Sequence, residues 1–392
     1  MPPIRFIHAA DLHLDAAFSG LSRDIPADFA ERLRTATFTT FRRLLDLCER
    51  ESPDFLLLAG DVYNQEDASV SAQLALRDGF RRLESLSIPV FLVHGNHDPL
   101  ASRLRSVRWP GNVTVFGELP DAVPVFRKGE GTPLAIIHGA SHASGRETRN
   151  LAALFRRTEA CGLHVGLLHA TPGDADGVAR YAPFSQGDLK ASGMDYWALG
   201  HIHDRREVCR EPLAAYPGCT QGLHINEPGE KGCLLVTAEA RPDGGYAVRT
   251  SFRPLGPAVW KTLDMDLGGA ASLDELENRL RTGLDRAAAE VWSGCEMLLV
   301  RLRLQGRTEL DGLLRKGTTC AELADRLRED GSGVPRIWIK DIDVATRPCV
   351  ERGALLERED LLGEVFRLSE AARTAWSGCL EALLREWESA RA

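Results

Sequence analysis

Apolar residues in the first half of the chain come in short unbroken runs, and each run stops at a glycine, histidine or aspartate. Ile4-Arg5-Phe6-Ile7-His8-Ala9 leads into Asp11-Leu12-His13, and Phe55-Leu56-Leu57-Leu58-Ala59 ends at Gly60-Asp61. Ile88 to Val93 ends at His94-Gly95-Asn96-His97-Asp98. Such runs read as strands covered on both faces. Between them, Phe29, Leu33, Phe38, Phe41, Leu44 and Leu45 recur at helical spacing over residues 27–50, and a second helical pattern spans residues 69–86. Further strands are expected at Leu134–His138, at Val165–Leu168 before His169, and at Tyr196–Leu199 before Gly200-His201-Ile202-His203. A helix is expected over residues 149–159, and β structure from Gly232 continues to about residue 254. Strands alternating with helices, with polar residues collected at one sheet edge, are the α/β signature.

Pro254, Gly256 and Pro257 punctuate the chain and mark a domain boundary. Residues 258–348 then alternate strand (260–267, 297–304, 334–342) and helix (273–290, 320–329), and they contain no histidine. This reads as a small α+β domain without chemistry of its own. From Glu357 the pattern is helical to the end, with Trp376, Leu380, Leu383 and Trp387 at spacings of four, three and four. That stripe either packs on its own domain or docks a partner. The expected organisation is residues 1–255, 258–348 and a helical tail at 349–392.

A length of 392 residues implies two or three domains. No apolar run approaches the roughly 20 residues of a membrane span, and the N-terminus lacks a signal-peptide pattern. Nine scattered cysteines with no Cys-x-x-Cys pair exclude a disulfide framework or zinc ribbon and point to a reducing cytoplasm. A net charge of −8 excludes a simple basic nucleic-acid module, but not an enzyme whose ions and local arginines attract such a substrate. Arg103, Arg105 and Arg108 form the basic stretch nearest the Asn-His-Asp motif; a solvated face is its plainer reading.

Five strand ends therefore carry Asp11/His13, Asp61, Asn96/His97/Asp98, His169 and His201/His203. Packing does not explain five such ends, because each of these side chains needs partners once it leaves water. Asp11 and His13, like His201 and His203, are two residues apart and would share a face in extended backbone. The mixed nitrogen and oxygen set suits Mn²⁺, Fe or Zn²⁺ better than Ca²⁺ or a thiolate site. It is large enough for two ions, with the central Asp61 bridging them at about 3.5–4 Å. His8 reads as a packed histidine; His94, His138, His142, His164 and His224 read as structural or rim residues, His224 nearest the site.

Asp-x-His, Gly-Asp, Gly-Asn-His-Asp, a lone His after a strand and Gly-His-x-His, in this order, resemble the calcineurin-like metallophosphoesterases. Gly60-Asp61-Val62-Tyr63, Tyr196 to His203 and Tyr216-Pro217-Gly218 resemble their SbcD-type, YhaO-like DNA-repair nuclease branch. The resemblance implies a β-sandwich flanked by helices, with a small α+β capping domain and a C-terminal helical tail. It implies that Asp11, His13, Asp61 and His203 hold one ion and Asp61, Asn96, His169 and His201 the other. Mn²⁺ is the first choice, with Fe, Zn²⁺ or Mg²⁺ as alternatives. His97 would assist the leaving group during attack by a water shared between the ions, and Asp98 would orient the His97 ring. Two departures stand out: Asn64 occupies a position where relatives carry His or Asp, and Cys219 follows Gly218 where Ser is common. The implied activity is DNA hydrolysis, exo- or endonucleolytic, with an SbcC-like coiled-coil ATPase as partner, a homodimer as a further implication, and no membrane. The rivals are a small-substrate phosphodiesterase or phosphatase, and a scaffold that holds DNA ends without cutting.

Overall fold

The computed structural model describes residues 2–21, 25–64, 69–101, 107–174, 180–242, 244–329, 333–349 and 352–389. Arg103 and Arg105 lie outside these, as do the side chains of Leu380, Leu383 and Trp387. The strands in chain order are β1 Ile4–Ala9, β2 Phe55–Ala59, β3 Val90–Val93, β4 Val113–Val115, β5 Asp121–Val125, β6 Ala135–Ala140, β7 Leu163–His169 and β8 Tyr196–Gly200. They continue with β9 Arg206–Arg210, β10 Leu213–Tyr216, β11 Gly232–Ala240, β12 Tyr246–Pro254, β13 Ala258–Asp266, β14 Met297–Gln305, β15 Arg307–Thr308, β16 Arg336–Val344 and β17 Arg347–Pro348. The helices are α1 Ala27–Arg34, α2 Ala36–Glu51, α3 Val70–Ser85, α4 Gln186–Ala191, α5 Leu273–Glu290, α6 Asp311–Leu314, α7 Thr319–Glu329, α8 Arg352–Leu356 and α9 Leu361–Ser389.

Two six-stranded mixed sheets form the frame, in the orders β12-β11-β1-β2-β3-β4 and β5-β6-β7-β8-β10-β9. The unbroken apolar runs explain why both faces of each sheet are covered. In β2, Phe55, Leu57 and Ala59 face the other sheet, where they meet Val165, Leu167, Tyr196 and Ala198. Leu56 and Leu58 face the opposite way, onto Phe41, Leu44 and Leu45 of α2 and Leu76, Phe80 and Leu83 of α3. In β8, Tyr196 and Ala198 point into the sandwich, while Trp197 and Leu199 pack with Leu151, Phe155 and Leu189 outside it. His8 is fully buried between the sheets, its Nδ1 2.9 Å from the Tyr196 hydroxyl. Burial pushes its pKa down to about 3, so it is a neutral packing residue as expected.

Two expected helices differ. The helix over residues 27–50 is interrupted at Thr35, whose hydroxyl bonds back to the carbonyls of Glu31 (3.0 Å) and Arg32 (3.3 Å). The helix over 149–159 is one 3₁₀ turn at Ala152–Leu154, because Phe155 turns extended (ψ 135°) to pack its ring 4.8 Å from that of Trp197.

Contacts divide the chain into two compact units, one of residues 1–263, 283–302 and 324–341, the other of 264–282, 303–323 and 342–392. The third sheet runs β13-β14-β16, and β15 pairs with β17. Within the second unit the Thr308 hydroxyl donates to Ala270 O (2.6 Å), and Thr346 donates to the Asp311 carboxylate (2.7 Å), which also pairs with Arg315. Along α9, Leu361, Leu362, Val365, Leu368 and Trp376 are exposed. Among the described residues no helix is long and apolar enough to cross a membrane, and every cysteine is a free thiol.

Phe6 joins the two sheets, its ring stacked on Phe55 at 4.7 Å and set edge-on to Tyr196 at 5.5 Å. Phe6→Ala should cost about 3–5 kcal/mol. A urea unfolding midpoint unchanged by the substitution would refute this account of the core.

Candidate metal centre

Four of the expected ligands sit on backbone that ordinary side chains avoid. Past the ends of β1, β2 and β8, Asp11 (φ 51°), His13 (φ 40°), Asp61 (φ 48°) and His201 (φ 104°) all have positive φ. Each such residue costs of order 1–3 kcal/mol, and they gather where surrounding structure over-determines them. The shared-face argument for Asp11/His13 and His201/His203 is thus corrected: the chain turns at the donors instead of running extended. Backbone hydrogen bonds carry the β1–β2 register through the turns, from Asp11 N to Gly60 O (3.1 Å), His13 N to Asp61 O (3.1 Å) and Leu14 N to Val62 O (3.0 Å). The Asp11 carboxylate then accepts the His201 N–H at 3.0 and 3.2 Å, tying the β1 end to the β8 end.

These turns bring the expected ligands together. Asp11, His13 and His203 place ligand atoms within 4.8 Å of one another, and Asp61, His169 and His201 form a second such group. Asn96 joins the second group, its Oδ1 3.0 Å from His169 Nε2. Space here is tight. A Cβ added at Gly95 would clash with the Asp61 carboxylate and come within 2.8 Å of His169 Nε2, and one added at Gly200 would strike the Ala59 carbonyl.

The hydrogen bonds show what the groups are built to hold. His13 Nδ1 lies 2.6 Å from Asn64 Oδ1, His203 Nδ1 2.5 Å from Glu227 Oε1, and His169 Nδ1 2.9 Å from Ala59 O. Each partner is an acceptor, so each Nδ1 carries a proton and each Nε2 of the neutral ring presents a lone pair. Those lone pairs meet further acceptors. His13 Nε2 and His203 Nε2 are 3.2 Å apart, and His169 Nε2 faces Asn96 Oδ1 and, at 3.3 Å, Asp61 Oδ2. Acceptors opposed at this distance require a cation or a proton between them, and nitrogen and carboxylate donors suit a divalent transition ion.

Proton and cation compete for that place. Burial alone would lower the pKa of His169, but the adjacent Asp61 carboxylate overrides it and pushes the imidazole up to about 9. Burial likewise opposes charge on Asp61, yet His169 holds its carboxyl well below the usual range. Burial dominates at Asp11, which is raised, and at His13, which is lowered. At His203 burial is outweighed by the Glu227 hydrogen bond and nearby carboxylates, and the pKa rises.

His97 is exposed at the mouth of the site, its ring edge-on to His13 at 5.2 Å and its N–H donated to Asp61 Oδ1 at 2.9 Å. The expectation that Asp98 orients this ring is corrected. The chain bends through residues 96–98 and turns Asp98 inward, where it is fully buried. Its Oδ1 accepts from Gly95 N (2.7 Å) and Asp61 N (3.2 Å), and its Oδ2 from Val62 N (3.0 Å), with His94 Nδ1 at 3.3 Å. Asp98 therefore fastens the Asp61 turn to the Gly95 loop and positions a ligand.

Sequence reasoning missed two groups. Glu227 grips His203, and His142 donates to the His169 main chain, its Nε2 2.6 Å from His169 O. Because a carbonyl only accepts, His142 Nε2 is the donor; burial holds this ring neutral, with its pKa lowered to about 4. His224 instead faces Gly20 and accepts from Asn226 N (3.1 Å), so His142 is the outer histidine that supports the site. Asn64 keeps the supporting contact to His13 that its departure from the common residue had put in question.

Residues 4–205 match the calcineurin-like phosphoesterase family, a span that contains every donor described above. The chain belongs to this family. As a calcineurin-like phosphoesterase it is a metal-dependent phosphoester hydrolase, and residues 260–347 match the middle domain of metallophosphoesterase YhaO. It is 35% identical to an uncharacterized metallophosphoesterase YhaO of Bacillus subtilis, across 97% of this chain and 90% of that one. It is 28% identical to the DNA double-strand break repair protein Mre11 of Aeropyrum pernix, across 74% of this chain and 69% of the relative. Against the Mre11 of Haloferax volcanii the identity is 24%, across 94% and 78%.

Because metal must displace the His169 proton, loading should release protons. From pH 7 up to about 9, Mn²⁺ affinity should rise by up to about tenfold per pH unit on account of this group, then level off. Calorimetry in buffers of different ionisation enthalpy measures the release; a pH-independent affinity without proton release would sink the account.

Proposed function

We propose that this phosphoesterase is a Mn²⁺-dependent phosphodiesterase acting on DNA, as an exo- or endonuclease in repair. The observation that carries the substrate class is a basic groove that begins two residues past His203. The Arg205 guanidinium lies 3.9 Å over the Phe252 ring, and that of Arg206 lies 5.7 Å from the Tyr216 ring centre. Thr250 and Glu207 complete the groove walls. Both arginines are exposed, and neither forms an ion pair among the described residues. A guanidinium held against an aromatic face keeps its charge available for phosphates, and the half-buried Phe252 ring is the one aromatic face of this groove within reach of a base, Tyr216 being fully buried. In a chain of net charge −8, such local cations must supply the attraction. The naming of several relatives as double-strand break repair proteins supports the same reading.

In this reading Asp11, His13, Asp61 and His203 would hold one ion and Asp61, Asn96, His169 and His201 the other. Two divalent ions supply charge neutralisation at the phosphoryl oxygens and a nucleophile from water near neutral pH. His97, unburied and anchored through its backbone to Asp61, gives a proton or hydrogen bond to the leaving oxygen. Asp98 and His142 keep the donors in place. The α9 face with Leu361, Leu362, Val365, Leu368 and Trp376 would dock an SbcC-like coiled-coil ATPase, and the 258–348 region would help select DNA ends. A homodimer and a cytoplasmic location belong to the same proposal.

Metal-stripped protein should degrade end-labelled DNA when Mn²⁺ is returned, and not without it. Asp61→Ala should abolish both metal uptake and hydrolysis. His97→Ala should lower kcat by about 10²–10⁴-fold with metal content unchanged; full activity in that variant would remove His97 from the mechanism. Arg205→Gln with Arg206→Gln should raise KM for DNA and flatten its salt dependence, leaving a small aryl phosphodiester unaffected. Turnover of the small diester with DNA untouched, even after the ATPase is added, would instead establish a small-substrate enzyme.

A further inference from the structure

Beside the metal centre, and outside the Asp11/His13/His203 and Asp61/His169/His201 groups, lies Glu227, which forms a third close cluster with His203 and the buried thiol of Cys219. Glu227 sits in the irregular segment between β10 and β11, held at both ends. Its Oε1 is 2.5 Å from His203 Nδ1, its Oε2 accepts the Leu223 N–H at 2.6 Å, and its own N–H donates to His224 O at 2.9 Å. His203 is braced from its other side as well, its carbonyl accepting from Lys231 Nζ (3.0 Å) and Cys219 N (3.2 Å). Glu227 meets the ring on the nitrogen away from the one that faces His13, so it stands behind the ligand.

Among the ligand histidines, the Nδ1 contacts described for His13, His169 and His203 are not alike. His13 is held by the neutral amide of Asn64 and His169 by the neutral carbonyl of Ala59, while His203 alone has a carboxylate. A negative charge on Nδ1–H strengthens Nε2 as a donor and fixes the ring plane, and losing such a partner typically weakens metal binding by about 10–100-fold. We propose that Glu227 is a positioning residue that acts through His203 to tighten ion binding at the Asp11/His13/His203 position. The inference rests on the two-ion reading of the centre.

The test titrates the stripped, full-length protein with Mn²⁺ and follows free and spin-coupled ion by electron paramagnetic resonance. The wild type should take up two ions. Glu227→Gln, whose single oxygen can accept from Leu223 N–H or from His203 Nδ1–H but not both and which lacks the charge, should weaken one ion by about 10–100-fold and leave the other unchanged. Its melting temperature without metal should match the wild type. Glu227→Ala should show the same loss at one ion position. Unchanged binding of both ions in Glu227→Gln overturns the proposal. So does equal weakening of both ions together with a lower metal-free melting temperature, which would make Glu227 a brace for its loop. If the wild type takes up a single ion, the two-ion reading falls. The role of Glu227 then stands on a loss of that ion's affinity in Glu227→Gln and falls without one.

Discussion

Everything at the metal centre depends on two parallel strands keeping their register after they have stopped being strands. The bonds from Asp11, His13 and Leu14 to the carbonyls of Gly60, Asp61 and Val62 extend the β1–β2 pairing into turns whose donors have positive φ. Strain of that kind persists only when several contacts oppose its release. Here they are the Asp98 carboxylate under the Asp61 turn and the Asp11 carboxylate on the His201 N–H. The apolar contact of Phe6 with Phe55 and Tyr196 holds both sheets at one level, so that donors from each meet.

The site also divides labour among its acidic residues. Asp11 and Asp61 face the ions, Asp98 faces backbone N–H groups, and Glu227 faces the back of a histidine. All four are at least partly buried, and each has a compensating partner, which is what makes so much carboxylate tolerable beneath the surface. The single exposed member of the constellation is His97, the group that has to reach a substrate.

Most of the donor set was legible because each residue follows an apolar run directly, and runs of this type can end only at a sheet edge. Asp11 and His13 nevertheless converge through left-handed turns, and not through the alternation along a strand that their spacing suggests. Asp98 was found beside His97 in sequence and assigned to it, yet a bend of three residues sends the two side chains in opposite directions. Glu227 was invisible, since it lies 24 residues beyond His203 in a segment of ordinary composition and is brought back by tertiary packing alone. His142 was passed over for the same reason. Phe155 ended an expected helix by following Trp197 into the core, a demand that no local pattern records.

The crowding at Gly95 and Gly200 bears on how this centre can change. A metal ligand has substitutes, since nitrogen and oxygen donors of similar reach can take one another's place and alter which ion is preferred. An empty volume has none. Even one methyl group at either glycine would displace Asp61 or part the β2 and β8 ends. The chemistry of the site is therefore open to redesign through its donors, while the glycines that leave room for them are its fixed points.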